Sequence, residues 1–326
     1  MADDTNIPVI DISGLDAEPS TELSVARQIR EACVDRGFFY LTGHGIAAEM
    51  LADVFASNRE FHARPDVEKL EIKLNTWHRG YQAFATSTLV SSERFAPART
   101  ANQLESFILR HEVSPDDPGY RKHELMGPNQ WPANPAFKAN VSRYDEAVRE
   151  LGSRLLSLIA LAVGENRDFF GQFFNPASTA LRLIHYPPAA EDRAADEFGI
   201  HPHTDYGFIT ILAQDDVGGL EIQTTDGGWT PAPSIPGSLV VNIGDILARW
   251  TNDVFNSTPH RVINNSTTRE RYSIAMFFDP NIEAEIRGLE KFCDEQSPAK
   301  YPAIRYGDYY RHRLDNNYPD RTNDQT

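Results

Sequence analysis

Hydrophobic positions follow two different rhythms along the chain. Up to about residue 163 helical spacing dominates, with two short apolar runs between the helices. Ile7-Pro-Val-Ile-Asp-Ile reads as a strand, and Thr21 to Asp35 as a helix with Leu23, Ala26, Ile29 and Ala32 on one face. Gly37-Phe-Phe-Tyr-Leu-Thr reads as a second strand, closed by Gly43-His-Gly. Ala47 to His62 reads as a helix striped by Met50, Leu51, Val54 and Phe55. The stretch 75–133 is rich in Thr, Ser, Pro and aromatics, carries no clear period, and is expected to wrap the rest of the fold. Pro135 to Val163 is the clearest helix, with proline in its first turn, apolar residues from Val141 to Leu161 at helical spacing, and Gly164 as its stop.

After about residue 178 the period changes to short β-like runs. These are Ala180 to Tyr186, Phe208 to Ala213, Gly219 to Gln223, Ser238 to Ile243, His260 to Ile263 and Tyr272 to Phe278. Thr225-Asp-Gly-Gly and Pro236-Gly mark hairpin turns between them. Many short strands at this spacing predict a mainly β fold with flanking helices, a sandwich or jelly roll. The chain divides into an α/β region at 1–133, a long helix with its connector at 134–175, a β-rich core at 176–281, and a C-terminal helix with a polar tail at 282–326.

Composition narrows the function. Asp plus Glu number 47 against 31 Lys plus Arg, a net charge of −16. That excess argues against nucleic acid or an anionic membrane surface as partner. A small-molecule partner fits better, and a local arginine can still hold an anionic one. Cys33 and Cys293 stand far apart with no CxxC pair, which suits reduced thiols in a cytoplasmic setting. The polar start, Met-Ala-Asp-Asp-Thr-Asn, carries no signal-peptide pattern, and no apolar run is long enough to span a bilayer. The oligomeric state leaves no mark in the sequence.

The chemistry concentrates in three residues. In His203-Thr-Asp205 two metal-ligating side chains stand two apart, which on an extended segment turns both to one face. His260 follows 55 positions after Asp205 at the head of another strand-like run. Two imidazoles and a carboxylate on one face of an octahedron leave positions open for substrate and O₂, the arrangement used with non-haem Fe(II). HxD with a later histidine is weak evidence alone. Arg271-Tyr-Ser273 adds to it, because Arg271 and Ser273 share a face and together suit a carboxylate, the arginine fork binding it bidentately.

Together these segments resemble the 2-oxoglutarate- and iron-dependent oxygenases of the isopenicillin N synthase-like group. The matching segments are His203-Thr-Asp-Tyr-Gly-Phe-Ile-Thr-Ile-Leu, Asn242-Ile-Gly-Asp245, Ser257-Thr-Pro-His260-Arg-Val and Arg271-x-Ser273. The leader Ile7-Pro-Val-Ile-Asp-Ile and Gly37-Phe-Phe-Tyr-Leu-Thr-Gly-His-Gly extends the likeness over nearly the whole chain. The resemblance implies a double-stranded β-helix core at 176–281 with a non-haem dioxygenase N-terminal region at 1–133. It implies Fe(2+) on His203, Asp205 and His260, and 2-oxoglutarate held by Arg271 and Ser273. O₂ and 2-oxoglutarate would be consumed to succinate and CO₂ while a small organic molecule is hydroxylated, desaturated or cyclised. The gap from His260 to Arg271 is about a residue longer than the family pattern, which makes Arg269 a rival clamp.

Around this centre several residues are candidates. Tyr186 lies where relatives place a carboxylate-binding tyrosine, and a core tyrosine is the alternative. Arg182, on the same strand face, can bind a second carboxylate or pair with an acid. His201 is a rival ligand that the family pattern disfavours, and Asn242 and Asp245 suit a turn better than a ligand contact. Tyr81, Phe84, Phe95 and Phe107, with Phe208 and Phe278, are expected to wall the substrate pocket. Two rival functions stay open: a family member that oxidises its substrate without 2-oxoglutarate, and a non-catalytic β-sandwich binding protein.

Overall fold

The computed structural model describes residues 7–15, 19–88, 98–120, 123, 125–194, 196–264 and 266–317. The N-terminal region supplies β1 (Val9–Asp11), α1 (Pro19–Asp35), β2 (Phe38–Thr42), α2 (Ala48–His62), α3 (Asp66–Leu70), β3 (Gly80–Gln82) and β4 (Glu105–Arg110). The helix α4 (Pro135–Ala162) follows. The core then runs β5 (Ser178–Tyr186), β6 (Ile200–His203), β7 (Ile209–Gln214), β8 (Leu220–Gln223), β9 (Trp229–Pro231), β10 (Leu239–Ile243), α5 (Asp245–Trp250), β11 (His260–Val262) and β12 (Arg271–Asp279). A small hairpin, β13 (Glu285–Ile286) and β14 (Ile304–Arg305), precedes α6 (Tyr306–Asn317). No described helix is long and apolar enough to cross a membrane.

Two sheets face each other. The major one has eight strands in the order β1-β2-β10-β7-β12-β5-β4-β3, and the minor one four in the order β6-β11-β8-β9. Apart from the parallel β1–β2 pair, neighbours in the major sheet are antiparallel. The N-terminal region therefore does more than pack against the core: its four strands extend the major sheet at both edges. β3 and β4 lie inside the stretch read as irregular, and β4 earns its place by pairing with β5, Glu105 opposite His185.

α4 shows how local sequence sets an element. The Asn134 side chain accepts from the backbone N–H of Ala136 and Phe137, and Pro135 occupies the first turn, where it needs no donor. At the other end Gly164 takes φ +80°, while Glu165 N donates to Ala160 O and Gly164 N to Leu161 O, a Schellman ending. Between the caps Val141, Tyr144, Val148, Leu151, Leu155, Leu158 and Ile159 are buried. Each such side chain contributes about 1.5–3 kcal/mol by leaving water.

One core lies between the helices and the outer face of the major sheet, and a second lies between the sheets, with Phe38, Tyr40, Ile184, Tyr186, Leu220, Val240 and Val262. Two helix faces need correction. In α1 the buried side is Val25, Ala26, Ile29, Ala32 and Cys33, and Leu23 is exposed, because the inward stripe passes one position away from it. In α2 Val54 is buried as expected, but the inward stripe continues through Asn58, Phe61 and His62, while Met50, Leu51 and Phe55 only flank it.

Candidate metal centre and its cavity

Strand pairing brings the two histidines together. His260, the first residue of β11, stands opposite His203, the last of β6, and their ring centroids are 4.3 Å apart. Asp205 reaches them differently from the expected strand alternation. β6 ends at His203, so Asp205 lies beyond it in the irregular connection to β7. There Asp205 O accepts from the backbone N–H of Asp245, at the start of α5. One donor atom from each of the three side chains falls within 4.8 Å of the others. Asp205 Oδ1 is 3.7 Å from His203 Nε2 and 3.8 Å from His260 Nε2.

Each donor is fixed from behind. His203 Nδ1 donates to His201 O at 2.8 Å and His260 Nδ1 to Thr258 O at 3.3 Å, which sets the tautomer and leaves both Nε2 lone pairs directed at the centre. Asp205 Oδ2 accepts from Asn242 Nδ2 at 2.7 Å and Thr210 Oγ1 at 2.5 Å, leaving Oδ1 for the centre. Burial first, then His260, pushes His203 down to about 3, so its ring is neutral. Burial opposes ionisation of Asp205, but the two histidines and the Asn242 and Thr210 hydrogen bonds outweigh it and hold its carboxyl below the usual range. Two imidazole Nε2 atoms and one carboxylate oxygen, all aimed at one point, fit Fe(II).

Asn242 and Asp245 thus do more than shape a turn. Asp245 Oδ1 accepts from Ser257 Oγ, and Oδ2 from Thr204 Oγ1 and Tyr309 Oη. It joins both ligand segments to α6. His201 is a support rather than a donor to the centre: its Nδ1 is engaged by Asn102, and its carbonyl orients His203.

The centre opens into a cavity of about 1170 Å³, solvent-connected space included, lined by residues of both sheets and by Tyr310, Leu314 and Asn317 of α6. Arg271 lies in its wall, 1% exposed. Its Nε donates to Gly218 O, Nη1 to Ser273 Oγ and Nη2 to Gln214 Oε1, and its guanidinium stands 4.7 Å from the Tyr186 ring centroid. All these acceptors are neutral, and Arg271 makes no ion pair among the described residues. A buried cation left without an acid is costly, so this site fits an incoming carboxylate. Arg269 is exposed, paired with Asp216 at 2.6 Å, and is not among the residues lining the cavity.

The aromatic wall needs correction. Arg182 and Tyr186 line the cavity, but Tyr81, Phe84, Phe107, Phe208 and Phe278 do not. Side chains alternate across a strand, and on β12 it is Arg271, Ser273, Ala275, Phe277 and Asp279 that face the cavity. Phe278 points to the helices and stacks on Phe174. Phe107 alternates away between Ser106 and Ile108 and packs on Phe61 and Phe137. Tyr81, its cross-strand partner, turns the same way and donates to Glu105. Phe208 precedes β7 and packs among Phe170, Phe174 and Trp250. Phe84 is half exposed against a separate hollow near Pro187 and Pro188, and Phe95 lies outside the described residues. Continuing the period-two count from Arg271 past Ser273 finds the missed residues, Phe277 and Asp279.

Comparison with known proteins agrees with this geometry. Residues 177–280 match the 2OG-Fe(II) oxygenase superfamily, and residues 7–134 the family described as non-haem dioxygenase in morphine synthesis N-terminal. The 2-oxoglutarate-Fe(II) type oxidoreductase hxnY of Emericella nidulans is 35% identical over 93% of this chain and 88% of its own length. A homoarginine-6-hydroxylase of Oryza sativa subsp. japonica is 33% identical over 96% of this chain and 97% of its own. A full-length Neurospora crassa protein, crystallised in complex with alpha-KG and thymine, superposes with a TM-score of 0.83 at 29% identity, covering 96% of this chain and 98% of that one. The chain belongs to the 2-oxoglutarate- and Fe(II)-dependent oxygenases, enzymes that take Fe(2+), 2-oxoglutarate and O₂.

Proposed function

We propose that His203 Nε2, Asp205 Oδ1 and His260 Nε2 hold Fe(II), and that Arg271 with Ser273 holds the distal carboxylate of 2-oxoglutarate, Tyr186 forming the floor under the guanidinium. The observation that carries this reading is one cavity containing both a convergent His-Asp-His set and a buried arginine with no acid partner. Bound iron supplies O₂ activation, coupled to oxidative decarboxylation of 2-oxoglutarate to succinate and CO₂. The chain's own residues position and shield. Asn242 and Thr210 keep one Asp205 oxygen occupied, so the carboxylate presents the other in a fixed direction. The backbone carbonyls of His201 and Thr258 hold both rings in the donor tautomer. Leu212, Leu220 and Val262 add apolar lining to the cavity that holds Arg271, and Tyr310 and Leu314 of α6 add to its wall.

The substrate on this reading is a small organic molecule, hydroxylated in the simplest outcome. Relatives named for homoarginine hydroxylation and crystallised with thymine support small molecules as a class, and their unlikeness keeps either from being transferred to this chain. A cytoplasmic location is part of the proposal, supported by the two free cysteines. The test is anaerobic loading with Fe(II) and 2-oxoglutarate, then air and a substrate panel scored by succinate release. Stoichiometric iron with substrate-stimulated succinate is expected. O₂ uptake without succinate would replace the reading with direct oxidation, and failure to bind iron would overturn it.

A further inference from the structure

With Arg271 engaged by the co-substrate, a second guanidinium still faces the cavity. Arg182 stands on β5 opposite Ala275 of β12, whereas Arg271 stands opposite Tyr186. Four residues separate the two positions, about 13 Å along the sheet at roughly 3.3 Å per residue. Arg182 Nε donates to Ser106 Oγ at 2.9 Å and Nη2 to Gln82 Oε1 at 2.6 Å. Both acceptors are neutral. They aim the fork without discharging it, and among the described residues Arg182 has no ion pair and Nη1 no hydrogen bond.

The charge of the cavity points the same way. Its walls carry Arg110, Arg182 and Arg271 against Asp205 and Asp279, a surplus of one positive charge. Fe(II) and doubly ionised 2-oxoglutarate cancel each other, so loading leaves that surplus in place. Arg110 is already provided for, since it donates to Tyr310 Oη at 3.2 Å and sits in the field of Asp279. The uncompensated cation is Arg182.

Resting on the function proposed above, we propose that the substrate carries one carboxylate, bound by the free N–H edge of Arg182, with its apolar part against Phe277. A single surplus charge and two aspartates in the same cavity match a monoanion and oppose a phosphate dianion. Phe277 lies two residues beyond Ala275 on the cavity face and is only partly buried, so its ring is available to a ligand.

The test starts with the whole protein loaded anaerobically with Fe(II) and 2-oxoglutarate, their binding followed by calorimetry. Failure at that step is a failure of the oxygenase reading, whereas this inference is tested only on protein that passes it. Benzoate, phenylacetate, 3-phenylpropionate and cyclohexanecarboxylate are then titrated beside their primary amides, with phenyl phosphate as the dianion. At least one acid should bind about 10- to 100-fold more tightly than its amide, the range of a charged hydrogen-bonded pair, and phenyl phosphate no more tightly than benzoate. Arg182→Gln should erase that preference, and Arg182→Lys should keep part of it. Amides that bind as well as acids, no acid bound at about 10 mM, a preference for the phosphate, or a folded Arg182→Gln that still selects acids would each overturn the proposal. The acid–amide comparison on unaltered protein decides even if Arg182→Gln does not fold.

Discussion

The two faces of the major sheet treat buried charge in opposite ways. On the helix-covered face Glu105 is surrounded: Lys69 Nζ and His185 Nδ1 each donate to it at 2.7 Å, and Tyr81 Oη donates as well. On the cavity face Arg271 and Arg182 meet only neutral acceptors, and Asp205 has one oxygen tied and one free. Both faces belong to the same strands. On β5 His185 faces the helices while Arg182 and Tyr186 face the cavity. A fold left to itself compensates what it buries. The buried Arg271 and the half-buried Arg182, oriented and still without an acid, therefore mark where a ligand completes the structure.

The largest break in this comparison comes from the centre itself. His203→Ala, Asp205→Ala and His260→Ala should each lose iron and abolish turnover, since three protein donors leave no spare. Metal analysis checks this, and His201→Ala, whose ring nitrogen is engaged by Asn102, should keep its iron. Full activity at stoichiometric iron in any of the three would remove that residue from the set. Next in size is Arg271→Ala. Loss of a buried charge-assisted pair costs about 2–5 kcal/mol, which is about 30- to several-thousand-fold in the apparent KM for 2-oxoglutarate. Arg271→Lys should lose less, and Arg269→Ala, paired outside with Asp216, should change nothing. A raised KM in Arg269→Ala alone would reverse the assignment.

Much of this was legible in the sequence where the signal is local. α4 announces itself by Pro135 in its first turn, its apolar spacing and Gly164, and the centre by His203-Thr-Asp205 with His260. What stayed hidden depends on pairing across long separations. Glu105 to Arg110 lacks a decisive pattern and becomes β4 only because β5, some 70 residues on, offers it an edge. The aromatic wall failed for a related reason: a phenylalanine says that it will be buried, not on which side of a strand. Phe277 and Phe278 are adjacent and chemically identical, and only parity counted from Arg271 separates them.

That pair sharpens the comparison. Phe278→Ala removes a ring stacked on Phe174 and packed against Gly152 of α4, and should cost about 3–5 kcal/mol of stability. The KM for 2-oxoglutarate of the folded fraction should hold. Phe277→Ala should cost under about 1 kcal/mol in stability and instead raise the KM for substrate, because its ring is partly exposed to the cavity. Chemical unfolding and steady-state kinetics on both variants check this. An exchange of the two phenotypes would mean that the faces have been assigned backwards.

On the compensated side the expected effect is on stability alone and depends on pH. Burial works against an ionised Glu105, but the hydrogen bonds from His185, Lys69 and Tyr81 outweigh it and bring the carboxyl from its ordinary 4.5 down to about 2. A depressed folded-state value means that ionisation stabilises the fold above the ordinary value, and that this contribution fades as pH falls from 4.5 towards 2. At about 1.4 kcal/mol for each pH unit of displacement the contribution is about 3 kcal/mol at neutral pH. Glu105→Gln keeps the shape and removes the charge, leaving Lys69 with the exposed Asp66 at 3.0 Å as its acid and the His62 carbonyl at 3.1 Å. Urea unfolding should place the variant about 3 kcal/mol below the parent at about pH 7, with the gap narrowing as the pH is lowered through about 4 and 3. Iron content and the KM for 2-oxoglutarate should not move, because Glu105 lies across the sheet from the cavity. A gap that stays constant with pH would mean that the charge of Glu105 does not stabilise this face.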